Sequence, residues 1–373
     1  MNNRERIESA IKLEIPDRVP VAPFLMFFVS RHAGITTEEY LFDKEKSEMA
    51  AEKAFKDFGG WDAWYRYPYI DGRTVYYYPL KFKMPGRELG PNEIYQTVEF
   101  EVMKKEDYDL IINKGYKELF RSLRKRIWPE VDDSKRAEVM NEYKTVRNAF
   151  IRKWNDLNVP TLHAFTVNSP FDELSLYRSI QEFFTDLYRF PEKVLEALDI
   201  ITEGLAEASK NNALASGAKG IFLGCYRLCG EFLPPKQFEK FGLPYLMRLV
   251  HVLTEAGLLV TLHCDNNWTL NLPYLKELPK GRCILALDHH TDIFKAKEIL
   301  KGHVCILGNV PASLLSLGAP KEVDTYCKKL IEIVGDGGGF ILGSGDELPI
   351  DTKPENLSAM LNAVRTYGSY KEC

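Results

Sequence analysis

Short, continuous apolar runs alternate with amphipathic segments along the second half of the chain. From residue 220 onward the apolar runs are GIFLGC, GLLVTLHC, CILALD, HVCILGNV and GGFILGSGD. The segments between them show helical periodicity at about 235–256, 292–301 and 320–334, with a short helix after the second run. Runs of this kind are typical of parallel strands buried on both faces, and the intervening segments are typical of the helices that connect them. The pattern therefore predicts consecutive βα units.

The first half of the chain adds strands to the same pattern. VPVAPF (19–24) and LHAFTVNSP (162–170) predict two further strands, and amphipathic helices are expected at about 35–58 and 171–214. No G-x-G-x-x-G follows a predicted strand, and the glycines at 335–339 precede a strand instead of following one. The strand count approaches eight, which favours a (β/α)8 barrel over a Rossmann fold.

Residues 60–100 differ in composition from the rest of the chain, because they are rich in aromatic and turn-forming residues. We interpret them as hairpins added to the barrel. Their aromatic rings either pack the added segment on the barrel or wall a pocket for a flat ligand. The chain is thus expected to be one barrel domain over 1–373, with an N-terminal helical and hairpin extension and an aromatic-rich elaboration at about 60–100.

Composition narrows the range of partners. A chain of 373 residues with 45% hydrophobic and 27% charged residues is typical of a soluble globular protein. A formal net charge of −4 gives no electrostatic reason to bind nucleic acid. The N-terminus has no apolar core of signal-peptide length and no run approaches a membrane span, so a cytoplasmic protein is expected. The sequence leaves the oligomeric state open.

The seven cysteines are interpreted as small buried hydrophobic residues. Their number is odd, and four of them lie in or at the end of apolar runs: Cys225, Cys264, Cys283 and Cys305. A disulfide framework is therefore not expected. The Cys225-x3-Cys229 spacing has no second pair at zinc-finger distance.

Metal-capable side chains follow three of the predicted strands. In VTLHCDNNWT, strand alternation places His263 and Asp265 on one face and Cys264 on the other. Asp288 and Asp346 follow two later strands, and strand ends converge at the C-terminal mouth of a barrel. One imidazole and three carboxylates are suitable ligands for zinc or a harder divalent ion. Asp288 could instead cap the following helix.

Other residues near strand ends are candidates for contacts with a substrate. Asn168 and Asn309 could donate hydrogen bonds, although a structural role for each is an equal alternative. Cys225 ends a strand, and Tyr65 lies in the aromatic segment that could wall a pocket. His163 is expected in the core, and His289 and His290 are expected to be structural or to support the ligands.

Several segments carry a resemblance to a known family. NNRERIESAIKLEIPDRVPVAPF, GEFLPPKQFEKFGLPYL, CILGNVPASLLSLGAPKEVDTYCKKLI and GGGFILGSGDELPIDTKPENLSAM resemble the uroporphyrinogen decarboxylase superfamily, and more narrowly its corrinoid-dependent methyltransferase branch. The resemblance spans nearly the whole chain and implies a (β/α)8 barrel.

The resemblance also implies a metal site. In that branch zinc is held by a His-x-Cys pair, an acidic residue about twenty positions later and a late Cys. His263 matches the histidine and Asp288 the acidic position, while Asp265 and Asp346 stand where the two cysteines would be. Thiolate ligands suit a zinc ion that activates a thiol, whereas an oxygen-rich set makes a harder Lewis acid. The expected substrate therefore carries oxygen at its reacting centre.

The expected function is methyl transfer from a small methoxylated, for example aromatic, or hydroxylated compound to the cobalt of a corrinoid. No Asp-x-His-x-x-Gly motif for binding cobalamin occurs, so the corrinoid is expected on a separate protein. The metal at the barrel mouth would activate the donor.

Three alternatives remain: a uroporphyrinogen decarboxylase-like lyase, a thiol-directed methylcobamide methyltransferase, and a barrel that has lost its metal and only binds a partner. VSRHAGITTEEY keeps Arg31 but lacks the second arginine of the decarboxylase motif. Bound metal would favour methyl transfer, and an arginine-lined pocket would favour the lyase.

Overall fold

The computed structural model describes residues 1–66, 70–216 and 219–370, so residues 67–69 of the aromatic segment and Cys373 lie outside it. The strands are β1 (Trp64–Arg66), β2 (Lys81–Lys83), β3 (Gln96–Val98), β4 (Thr161–His163), β5 (Phe165–Asn168), β6 (Gly220–Cys225), β7 (Leu259–Cys264), β8 (Cys283–Leu287), β9 (Cys305–Val310) and β10 (Phe340–Ser344). The helices are α1 (Asn3–Ile11), α2 (Phe28–Ala33), α3 (Thr37–Phe42), α4 (Lys44–Asp57), α5 (Asp107–Lys114), α6 (Tyr116–Ile127), α7 (Asp133–Asp156), α8 (Pro170–Arg178), α9 (Ile180–Arg189), α10 (Pro191–Ser216), α11 (Pro235–Phe241), α12 (Leu243–Glu255), α13 (Ile293–Leu300), α14 (Ala312–Leu317), α15 (Pro320–Ile333) and α16 (Pro354–Tyr367). Two 3-10 helices span Gly72–Tyr77 and Leu272–Glu277.

The strands form a closed (β/α)8 barrel. Strands β5 to β10 make one parallel sheet in sequence order, and β1 pairs in parallel with β4. Strands β4 and β5 are one barrel strand interrupted at Ala164. The backbone N–H of Ala164 still donates to the carbonyl of Gly220. Residues 19–22 close the ring of strands through two backbone hydrogen bonds. The N–H of Ala22 donates to the Leu342 carbonyl at 2.9 Å, and the N–H of Asp62 donates to the Val21 carbonyl at 2.8 Å. The predicted barrel is confirmed.

The five apolar runs of the second half become β6 to β10. Every residue of β6, β8, β9 and β10 is buried, as expected for strands covered by side chains inside the barrel and by helices outside it. The first predicted strand, 19–24, is shorter than expected and contributes a single bridge, between Val21 and Leu342.

The long predicted helices are each divided. The segment 35–58 breaks at Asp43, which caps α4 through the N–H of Lys46. The segment 171–214 breaks at Ser179, where φ is +68°, and again before Pro191. The segment 235–256 breaks at Gly242, before a proline in the first turn of α12.

The aromatic segment 60–100 is more than an elaboration. Trp64–Arg66 is the second barrel strand, which sequence analysis missed because it has three residues and lacks an apolar run. Helices α2 to α4 therefore connect two barrel strands instead of forming an extension. One antiparallel pair, β2 with β3, accounts for the predicted hairpins among the described residues.

Part of the aromatic segment packs as core. The Trp64 ring lies 5.0 Å from the rings of both Trp61 and Trp154, and all three are buried. The six described cysteines are buried and carry free thiols, in agreement with the sequence interpretation. Within the described ranges, no helix has both the length and the apolar character that a bilayer span requires.

Candidate functional site

His263 lies near the C-terminal end of β7 with its ring inside the barrel. Its ring centroid is 4.7 Å from that of Phe222 and 5.8 Å from that of Phe24, and the residue is 4% exposed. The next residue, Cys264, is buried on the opposite face of the strand, in register with Cys225. Strand alternation thus directs the imidazole into the barrel as predicted.

Two carboxylates approach the same nitrogen of His263. Its Nε2 is 3.0 Å from Oδ1 of Asp265 and 3.4 Å from Oδ1 of Asp346. The ligand atoms of these three residues lie within 4.8 Å of one another, which is close enough to hold one metal ion. We call His263, Asp265 and Asp346 the His–Asp cluster. The Asp346 side chain is 49% exposed, so one side of the cluster is open.

The charges of the cluster are strongly coupled. Burial alone would lower the pKa of His263, but Tyr65, Asp265 and Asp346 outweigh it and raise that pKa well above its ordinary value. Burial would raise the pKa of Asp346, but the hydrogen bond and charge of His263 hold it below its ordinary value. The two carboxylates therefore favour a cation at Nε2, either a proton or a metal ion.

The other ring nitrogen of His263 is held by Tyr65. The Tyr65 hydroxyl is 2.7 Å from Nδ1, and Tyr65 is 1% exposed. Burial raises the pKa of Tyr65 to about 12, so the group remains a phenol at neutral pH. Tyr65, a predicted substrate contact, thus orients the histidine.

His163 packs edge-on against Tyr65 with ring centroids 4.6 Å apart. It is 1% exposed, and neither ring nitrogen has a hydrogen-bond partner in the described part of the chain. Burial, with the charge of Arg66, lowers the pKa of His163 well below its ordinary value. The neutral ring is part of the core, as predicted.

Asp288 does not join the His–Asp cluster. Its Oδ1 is 2.6 Å from Nδ1 of His289 and 3.1 Å from Nδ1 of His290, and its Oδ2 accepts the N–H of Asn266 at 3.3 Å. These three residues, Asp288 to His290, form a second group with metal-capable atoms within 4.8 Å. The cap of α13 is Asp292, not Asp288.

The remaining predicted contacts have structural partners. Asn309 is 1% exposed, accepts a bond from the Tyr326 hydroxyl at 3.0 Å and donates to the carbonyls of Asp288 and Thr291. Cys225 is fully buried, and its thiol lies 3.7 Å from the Leu223 carbonyl. Neither side chain reaches an open surface.

Asn168 lines a cavity of about 810 Å³, which we call the flank cavity. It lies against β5 and helices α6, α7 and α10, and extends to residues at the ends of β1 and β6. Asn168 donates to Oε2 of Glu173 at 2.9 Å, and Tyr116 and Tyr177 donate to Oε1 of the same carboxylate. A second cavity, of about 990 Å³, is lined by residues at the starts of β4, β6 and β7, the face opposite the His–Asp cluster.

Sequence analysis did not single out two residues of the flank cavity, Arg66 and Tyr226. Arg66 ends the short barrel strand that was missed, and Tyr226 directly follows β6. The sequence signal for Arg66 was an arginine inside an aromatic run. Tyr226 had no signal beyond its position at the end of a strand.

Comparisons with known proteins agree with this architecture. A uroporphyrinogen decarboxylase from Pseudoalteromonas atlantica is 25% identical over 194 residues, which are 50% of this chain and 53% of that protein. One from Geotalea daltonii is 28% identical over 180 residues, 48% and 50% of the two chains. The chain thus spans about half the length of the curated relatives it matches.

A solved structure, a methyltransferase from Methanosarcina mazei, has the same fold. Its TM-score is 0.71 at 18% identity, over 98% of this chain and 99% of that one. The family profile described as uroporphyrinogen decarboxylase (URO-D) matches residues 130–367, which include β4 to β10 and the whole His–Asp cluster. With that match covering more than half of its length, the chain belongs to the uroporphyrinogen decarboxylase family.

Proposed function

We propose that the protein transfers a methyl group from a small methoxylated or hydroxylated compound to the cobalt of a corrinoid carried by a separate protein. A divalent metal, zinc or a harder ion, would be held by the His–Asp cluster. The observation that carries this proposal is the convergence of one imidazole nitrogen and two carboxylate oxygens at the C-terminal mouth of the barrel. Catalytic sites of this fold lie at that face.

The distances within the cluster support the proposed metal site. Ligands about 2.0–2.2 Å from a tetrahedral zinc ion are roughly 3.3–3.6 Å from one another, and the two separations from Nε2 are 3.0 and 3.4 Å. Oδ1 of Asp265 is buried and has no aligned hydrogen-bond donor among the described residues, so its lone pairs are available. Three protein ligands with one open side are typical of catalytic sites.

Asp288 has a supporting role in this proposal instead of the fourth-ligand role expected from sequence. Its carboxylate is already engaged by the two neighbouring histidines and by the backbone of Asn266. It thus holds the loop that follows Asp265. Residues that position ligands in this way commonly affect metal affinity.

The ligand type favours oxygen chemistry. A hard divalent ion in this set would supply Lewis-acid polarisation of an ether or hydroxyl oxygen that leaves as the methyl group departs. Tyr65 fixes the orientation of His263, and the rings of Phe24 and Phe222 keep water away from its buried side. The exposed side of Asp346 is where donor and acceptor would approach.

The comparisons support this proposal at the level of fold and family. The similar structure from Methanosarcina mazei is named a methyltransferase, and its fold covers nearly the whole of this chain. No cysteine belongs to the His–Asp cluster, which disfavours the thiol-directed alternative.

The lyase alternative has one observation in its favour. Five arginines line the flank cavity, and a decarboxylase acting on a polycarboxylate needs such groups: Arg66, Arg121, Arg124, Arg147 and Arg227. Arg31, the residue shared with the decarboxylase motif, is exposed and does not line the cavity. Release of CO2 from uroporphyrinogen would identify this activity.

The test of methyl transfer compares ligand variants with a matched histidine control. His263→Ala and Asp346→Ala should each abolish methyl transfer from an aryl methyl ether to reduced cobalamin while circular dichroism shows an intact fold. His251→Ala removes an exposed histidine on α12 and should retain activity. Wild-type turnover in both ligand variants would refute the proposal.

A further inference from the structure

The flank cavity carries an excess of positive charge. Seven of the residues that line it are lysine or arginine and two are glutamate. Both glutamates are already engaged: Glu99 pairs with Arg227 at 2.6 Å, and Glu173 accepts hydrogen bonds from Asn168 and two tyrosines. Arg121 and Arg124 have acidic partners outside the lining, Glu118 and Asp133. The charge that remains, on Arg66, Arg147 and two lysines, is complementary to an anion.

Arg66 lines the cavity from a barrel strand. It follows Tyr65 in β1, and in the described part of the chain it forms no ion pair with a carboxylate. Four tyrosines that line the cavity lie close enough to act on its charge: Tyr78, Tyr95, Tyr143 and Tyr226. Glu347 lies within range of the Arg66 charge but forms no ion pair with it. Among the described residues the guanidinium therefore keeps donors that are suited to the carboxylate of a ligand.

Arg147 adds a second guanidinium group to the lining of the flank cavity. It is 2% exposed and donates to the Ala164 carbonyl at 3.2 Å and to Oδ1 of Asn148, both neutral groups. Tyr143 lies within range of the charges of Arg147 and Arg66. Two guanidinium groups that have no carboxylate partner among the described residues therefore line one region of the cavity.

Tyr226 connects this region to the His–Asp cluster. A Cβ atom on Gly224 would collide with the Tyr226 hydroxyl, so the ring folds back over the end of β6. Gly224 is in register with His263, and paired residues of neighbouring strands share a face. Tyr226 also lines the flank cavity, and a ligand lying along it would extend from Arg66 toward the cluster.

We infer that the flank cavity binds an aromatic carboxylate, with Arg66 pairing with the carboxylate and the surrounding tyrosines contacting the ring. Phenol rings supply flat contacts, and the volume of about 810 Å³ exceeds the need of a single-ring compound. This inference specifies the substrate of the proposed function. It rests on that function only in assigning a methoxy group to the ligand. The methyl donor would then be a methoxylated aromatic acid.

Isothermal titration calorimetry on the full chain, without metal or corrinoid, tests this inference. The probes are 4-methoxybenzoate and its neutral isostere 4-methoxybenzamide. Wild-type protein should bind the acid about 10- to 100-fold more tightly than the amide, as expected for a charge-assisted bidentate contact. Arg66→Gln should remove most of that preference, and Arg66→Lys should keep part of it.

Arg121→Gln is the control, because Arg121 lines the same cavity but pairs with Glu118 at 3.3 Å and is 55% exposed. It should keep the wild-type preference. Equal affinity for acid and amide, binding of neither, or full preference in Arg66→Gln would overturn the inference. Because the assay contains no methyl acceptor, failure of methyl transfer would leave a positive binding result standing.

Discussion

The Tyr65 hydroxyl lies 2.7 Å from Nδ1 of His263, while the opposite nitrogen of that ring faces two carboxylates. One residue from the second barrel strand thus fixes the ring plane of a residue in the fifth. Metal-binding histidines commonly have such a partner on the nitrogen that does not bind the metal. The arrangement explains how Nε2 is held toward Asp265 and Asp346.

Removing the Tyr65 hydroxyl should weaken metal binding without unfolding the barrel. Tyr65→Phe keeps the ring that packs against Phe24 and His163 but loses the hydrogen bond to His263. Zinc affinity, measured by competition with a chromophoric chelator, should fall by about 10- to 100-fold. Unchanged affinity in a folded variant would mean that Tyr65 does not orient a metal ligand.

Zinc affinity should increase with pH. The pKa of His263 is raised well above its ordinary value, so a proton occupies Nε2 at neutral pH and must leave before a metal binds. Below that pKa, the apparent affinity should increase about tenfold for each pH unit. Chelator competition at pH 6, 7 and 8 measures the slope, and a flat profile would contradict the assignment of His263 as a ligand.

Lys297 offers a test of stability that is independent of the site. The residue is 7% exposed on α13 and donates to the Gly338 carbonyl at 3.1 Å, and burial lowers its pKa to about 8. The unfolded chain therefore binds more protons between about pH 8 and 10.5, so this group adds stability as pH rises through that window. The Tm of Lys297→Met relative to wild type should decrease from pH 7.5 to 10. A constant difference would show that Lys297 titrates normally.

Asp62 anchors the N-terminal helix to the barrel. Its carboxylate is fully buried and accepts bonds from Arg6, Arg18 and the N–H of Val21 at 2.6–2.9 Å. Asp62→Asn should lower the free energy of unfolding by about 3 kcal/mol, because Arg18 and one nitrogen of Arg6 lose a buried carboxylate partner, while Asp17 still pairs with Arg6.

Asp57→Asn is the control for that change. Asp57 pairs with Lys53 and His32 at the surface, where solvent screens the charges, so its replacement should have a much smaller effect. Urea denaturation of both variants measures the difference. Equal losses would contradict the importance assigned to burial.

The sequence predicted the barrel and the three residues of the His–Asp cluster for physical reasons that are visible in particular residues. Apolar runs identified β6 to β10 because both faces of those strands are buried. Alternation along β7 placed His263 and Asp265 together, and the position of Asp346 after β10 brought it to the same mouth.

Other features depend on packing that local patterns do not encode. Strand β1 has three residues, and its pairing with β4 depends on contacts distant in sequence. Asp288 follows a strand as predicted, but its histidine neighbours engage its carboxylate. Arg66 and Tyr226 meet in one cavity only after the barrel closes.

Parallel quantification of the two products of methyl transfer tests the central claim most directly. Zinc-loaded protein would be mixed with 4-methoxybenzoate and reduced cobalamin, with metal-stripped protein and zinc-loaded His263→Ala as controls. The account predicts that 4-hydroxybenzoate and methylated cobalamin form in equal amounts with the zinc-loaded wild-type protein, and that neither control forms them. Equal product formation by the metal-stripped protein or by His263→Ala would contradict it.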